Sequence, residues 1–99
     1  MKHIKTFESY GSDTKFVVCD EGVYPLVTST FKDATIYGRN SNSGVISTLK
    51  TLISKGHTDI TYVIDDASES SADKRLEFIE EFIGKSDFEK INVVKSSEL

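Results

Sequence analysis

The sequence has no tryptophan, one cysteine, one proline and one methionine among its 99 residues. A lone cysteine excludes an internal disulfide. Cys19 sits in the run Phe16-Val17-Val18-Cys19, which predicts a buried strand residue rather than a reactive thiol. No stretch approaches the roughly 18 apolar residues of a membrane span. The first residues include lysines but no apolar segment behind them, so no secretory signal is expected and synthesis in a reducing cytoplasm is. Basic residues are the minority, 12 Lys and Arg against 16 Asp and Glu, for a net charge of -4. Phosphate backbones require a cationic face, so nucleic acid is not expected as the main partner. Only Lys2, His3 and Lys5 form a local basic cluster.

What is present describes one folded unit. Hydrophobic residues are 37% and charged ones 28%, a globular rather than disordered balance, and the length allows one modest core. Met1, Ile4, Phe7 and Tyr10 recur every third residue and draw an apolar stripe on a short helix, which needs a surface to lie against. Gly11-Ser12-Asp13 ends it. We therefore divide the chain into an N-terminal amphipathic docking segment, residues 1–12, and a single α/β domain, residues 13–99.

Within that domain, residues 15–19 predict a strand covered on both faces. Residues 23–28 have a strand-like composition, but Pro25 lacks an amide donor, which predicts an edge strand or an irregular connection. Residues 34–37 predict a short strand. Val45, Ile46, Leu49, Leu52 and Ile53 line one face of a helix, capped by Asn42 or Ser43 and closed by Gly56. Residues 60–64 predict a buried strand. A second helix has Ser70 or Ser71 as cap, Ala72, Leu76, Ile79, Phe82 and Ile83 as its apolar face, and Gly84 at its end. Residues 91–94 predict the last strand, followed by a frayed tail, 95–99. The expected fold is a small, mostly parallel α/β sheet of four or five strands with two main helices, in the order β-β-β-α-β-α-β, plus the short N-terminal helix.

Ligands of parallel α/β sheets bind beyond the carboxyl ends of the strands. Three loops meet that description: Asp20-Glu21-Gly22, Gly38 to Gly44, and Asp65-Asp66-Ala67-Ser68-Glu69. The second joins a strand to a helix, and Gly38, Arg39, Ser41, Ser43 and Gly44 are its anion-binding candidates. It is not a P-loop, because Val45 follows the second glycine. Asn and Ser equally serve as turn and cap residues there. Glu21 and Asp65 are the candidate ligands for a hard cation such as Mg²⁺, with Asp20, Asp66 and Glu69 close by in sequence. Successive strand residues point to opposite faces, so only one of Asp65 and Asp66 need face a site. His3 and His57 have no second ligand at metal-binding spacing, and no nucleophile, base and orienter set stands out. No cofactor is expected.

Two resemblances attach to these residues. Residues 15–95 resemble the core of the Toprim domain, the Mg²⁺-dependent module of topoisomerases, primases and related nucleases. Val17-Val18-Cys19-Asp20-Glu21-Gly22 stands for that family's strand followed by Glu-Gly, and Val63-Ile64-Asp65-Asp66-Ala67 for its strand followed by Asp-x-Asp. The resemblance implies an acid/base role for Glu21 and a metal-ligand role for Asp65. Ala67 replaces the second aspartate and the glycine after it is absent, which implies an inactive relative. The opening peptide, Met1-Lys2-His3-Ile4-Lys5-Thr6-Phe7-Glu8-Ser9-Tyr10, resembles that of small proteins of tailed bacteriophages, where such peptides can target proteins to the prohead and be cleaved after a glutamate. Thr6 stands where that cleavage prefers Leu or Ile, so removal is not expected.

Three functions follow, in order. The first is a non-enzymatic bacteriophage protein, a virion or assembly component made in the host cytoplasm. It binds protein neighbours, copies of itself included, through Met1, Ile4, Phe7 and Tyr10 and a sheet edge near Pro25. The second is a Toprim-like Mg²⁺-dependent enzyme acting on nucleic-acid phosphates. The third is a small nucleotide- or anion-binding regulator.

Overall fold

A computed structural model describes residues 15–66 and 69–99. The stripe of Met1, Ile4, Phe7 and Tyr10, the basic cluster at residues 2–5, and the boundary between the two proposed segments lie outside these residues. The described chain is β1 (Phe16–Asp20), a 3₁₀ turn (Glu21–Val23), α1 (Tyr24–Thr30), β2 (Thr35–Arg39), α2 (Asn42–Ser54), β3 (Ile60–Ile64), α3 (Glu69–Ile83), the single turn α4 (Lys85–Phe88), β4 (Asn92–Lys95) and a 3₁₀ turn (Ser96–Glu98). All strand pairs are parallel, in the order β2-β1-β3-β4. The expected α/β fold with a parallel sheet is the fold observed. Among the described residues no helix is long and apolar enough to cross a membrane.

Side-chain alternation along the strands builds two cores. Val18, Ile60, Tyr62, Ile64 and Val93 face α2 and α3, meeting Val45, Leu49, Leu52, Leu76 and Ile79. Val17, Cys19, Val63 and Val94 face the other way, toward Val27 and Phe31 at α1. Each fully buried Leu or Ile contributes about 2 kcal/mol, so the larger α2/α3 cluster dominates the stability. The cap glycines behave as their positions predict. Gly56 (φ +86°) closes α2 with a pair of bonds, its own amide to the Ile53 carbonyl and the His57 amide to the Leu52 carbonyl. Gly84 (φ +100°) closes α3.

Five expectations are corrected, the last of them at the C-terminal tail. Residues 23–28 contribute no strand: Val23 ends the 3₁₀ turn and residues 24–28 enter α1, because proline in a first helical turn gives up an amide that has no helical acceptor anyway. Thr28, Ser29 and Thr30 return their hydroxyls to the Pro25 and Leu26 carbonyls, satisfying the helix locally. The sheet thus has four strands, and Pro25 is on a helix rather than at a sheet edge. Ser41, not Asn42 or Ser43, caps α2, accepting from the Gly44 amide at 3.1 Å. Ser70 and Ser71 fall inside α3 rather than before it. Phe82, assigned to the buried stripe of α3, is 55% exposed.

The tail beyond β4 is held rather than frayed. The Asp66 carboxylate accepts from the Ser96 hydroxyl and from both the amide and hydroxyl of Ser97. Leu99 packs against the α1-side core.

Candidate functional site

β1 lies between β2 and β3, so the chain leaves β1 toward one edge and later returns on its other side. The carboxyl ends of β1 and β3 mark that switch point, where parallel sheets open a crevice. Here a cleft of about 500 Å³ lies between the Asp20-Glu21-Gly22 turn and Asp65 on one side and residues 39–42 on the other. Ser71 and Arg75 of α3 complete its wall.

Its floor is a closed polar network around Asp20, a carboxylate only 12% exposed. Oδ1 accepts from the Tyr62 hydroxyl (2.8 Å) and Arg75 Nη2 (2.9 Å). Oδ2 accepts from the Asp65 amide (2.7 Å) and Arg75 Nη1 (2.8 Å). A carboxylate has about four acceptor positions, and all of them are filled. Arg75 also donates from Nε to Asn42 Oδ1 (2.9 Å) and from Nη2 to the Tyr62 oxygen (3.2 Å), tying α3 to α2 and β3. Removing such a pair from water costs several kcal/mol per ion, which paired geometry of this quality offsets. Hydrogen bonding to Asp20 raises the Arg75 guanidinium further above its ordinary value. Burial first, and then the Asp20 charge, push the Tyr62 phenol well above its usual range, so it remains a protonated donor. The same two causes lift the Cys19 thiol to about 11, in keeping with an inert buried cysteine.

Arg39 stands on the opposite side of the cleft under different conditions. As the last residue of β2, it donates from Nε to the Thr48 hydroxyl (2.8 Å) and from Nη1 to the Gly38 carbonyl (2.9 Å). Thr48 passes its own proton to the Gly44 carbonyl, which orients the hydroxyl oxygen toward Arg39. The guanidinium carbon lies 5.5 Å from the Tyr37 ring centre, a cation–π contact. No carboxylate pairs with it among the described residues.

The predicted site residues separate on this geometry. Glu21, Arg39, Ser41 and Asp65 share the cleft. Gly38, Ser43 and Gly44 do not line it. Gly38 belongs to β2, where a Cβ would stand 2.8 Å from Tyr24 Cδ1, so its smallness serves the packing of α1. Gly44 gives its amide to the Ser41 cap, and Ser43 turns its hydroxyl to Ser41 at 3.3 Å. Asp65 and Asp66 do point apart, Asp65 into the cleft beside Gly22 and Asp66 to the tail serines. The Ser97 hydroxyl bond is the main reason that the Asp66 carboxyl is held below its usual range. His57 stacks on Phe16 (4.2 Å between ring centres) and sits at the end of α2 rather than at the cleft.

Among the described residues the carboxylates do not assemble a cation site, and the side chain of Glu69 lies outside them. Asp20 already has its cation in Arg75, Asp66 faces the tail, and residue 67 is an alanine. Glu21 and Asp65 line the cleft, and among the described residues no group of three His, Cys, Asp or Glu side chains converges. No metal-dependent step is therefore derived.

Tyr62, Arg75, Asn42 and Thr48 are site residues that the sequence did not disclose. Arg75 alone left a trace: it is three residues after Ala72 and four before Ile79, a cation at the margin of an apolar helical stripe. Compared with protein-family models, curated proteins and solved structures, the chain matches none.

Proposed function

We propose that the protein binds a small anionic ligand, a mononucleotide in the first instance, in the cleft at the carboxyl ends of β1 and β3. The carrying observation is Arg39. An arginine has five N–H donors; two are used, on Thr48 and Gly38, and three have no partner among the described residues. The arm is thus fixed in place without being neutralised, the condition for a bidentate grip on a phosphate. Ser41 and Asn40 add uncharged hydrogen-bonding groups beside it, while Glu21 on the facing lip suits a hydroxyl of a sugar. The cleft volume falls within the common range for small-molecule sites.

Calorimetric titration with the four ribonucleoside monophosphates and with inorganic phosphate tests this. Binding is expected for at least one nucleotide, weakened about tenfold or more in Arg39→Ala. Absence of heat for all of them up to about 1 mM, or unchanged affinity in Arg39→Ala, overturns the reading.

A second reading, the non-enzymatic bacteriophage assembly component that binds protein neighbours, has one observation in its favour: two phenylalanines of α3, Phe78 and Phe82, are exposed. Deletion of residues 1–10 is expected to change the assembly state of the full chain. An unchanged state would remove the part of this reading that rests on Met1, Ile4, Phe7 and Tyr10.

A further inference from the structure

We infer that the outer face of α2 and α3 is where a second copy of this chain docks, in a two-fold contact that places each copy's Phe78–Phe82 pair in the other's groove. The inference rests on the protein-docking reading, and the groove adjoins the ligand cleft at Ser41 and Asn42.

The groove, about 660 Å³, runs between the two helices, with Ile46 and Lys50 on one side and Phe78 and Phe82 on the other. The phenylalanines are four residues apart on α3 and stack with ring centres 4.6 Å apart, 42% and 55% exposed. They form one preassembled aromatic wall, which loses little conformational freedom on binding. Exposed apolar surface of this kind on a small domain marks an interaction site.

Charge selects the occupant. α2 carries Lys50 and no acidic residue, whereas Glu77, Glu80 and Glu81 flank the phenylalanine pair along α3, Asp73 being paired with Lys95. The groove therefore has one cation, Lys50, on its α2 side, and acids stand only behind its α3 side. Lys50 and Glu81 are both exposed, and neither forms an ion pair among the described residues. A two-fold axis through the groove sets the α2 of one copy against the α3 of the other, twice. Both charge mismatches are then cancelled in a single closed contact. A purely acidic or purely basic partner would satisfy only one wall.

Sedimentation equilibrium of the full chain, from about 10 µM to about 1 mM, tests the proposal. The wild type is expected to show a concentration-dependent dimer that weakens with added salt. Phe82→Asp is expected to weaken it about tenfold or more, while its thermal midpoint stays close to wild type because Phe82 is exposed. Lys50→Glu is also expected to weaken the dimer, and the pair Lys50→Glu/Glu81→Lys to restore it. A wild type that stays monomeric throughout overturns self-docking but leaves the phage-assembly reading to its own deletion test. A dimer unmoved by both Phe82→Asp and Lys50→Glu overturns the assignment to this face.

Discussion

Arg75 and Arg39 stand on two sides of one cleft, within the same fold, under opposite conditions. Arg75 is bound end-on to a buried carboxylate, with Tyr62 and Asn42 taking further donors, so its charge is consumed in joining α3, β1, β3 and α2. Arg39 is held by a hydroxyl, a backbone carbonyl and an aromatic ring, none of which cancels its charge. An arginine in a cleft is thus not in itself a ligand group. The partner decides: a buried carboxylate makes it part of the framework, and neutral partners leave it available.

Substitutions can break or sharpen that comparison. The largest effect is expected for Arg75→Met, which leaves the Asp20 charge buried and unpaired. Urea unfolding at neutral pH is expected to show a loss of about 3 kcal/mol, and a loss below about 1 kcal/mol would mean the network is not structural. Tyr62→Phe removes one of four donors to the same carboxylate and should cost about 1–2 kcal/mol in the same assay. A cost equal to that of Arg75→Met would show that the hydroxyl, not the ion pair, carries the network.

Smaller effects lie outside the network. The folded-state pKa of Asp66 is lowered, so its contribution is present above the ordinary carboxylate value and lost as the pH falls through the depressed one. Asp66→Asn should therefore show a shallower loss of stability from pH 7 into the acid range than wild type, an effect smaller than either substitution above. An identical pH profile would show that the Ser96–Ser97 contacts add nothing to the fold. Smallest is Arg39→Ala, expected to stay within about 0.5 kcal/mol of wild type while losing ligand. A large loss of stability there would remove the contrast between the two arginines.

Much of the architecture was legible because its signals are local. Helix α2 could be read from Val45, Leu49 and Leu52 and from Gly56. Strands β1 and β3 could be read from short apolar runs. Residues 23–28 misled because Val23, Val27 and Thr28 favour a strand by composition, while Pro25 in a first helical turn costs nothing. Phe82 misled because helical periodicity tells which residues share a stripe, not how wide a stripe the neighbouring helix covers.

The site was legible only in outline. The expectation of parallel strands and the carboxyl-end rule located the loops at 20–22, 38–44 and 65–69, and Arg39 and Ser41 were already candidates. The polar floor was not, since its bonds join residues 42 and 55 positions apart in the chain. Alternation and capping depend on neighbours within one or two turns, so the sequence by itself determined the parallel α/β fold and the glycine-closed ends of α2 and α3. Pairing of charges depends on side chains from different elements meeting within a few tenths of an ångström. That is why only the tertiary structure decided that Arg75 neutralises Asp20 and that Arg39 does not.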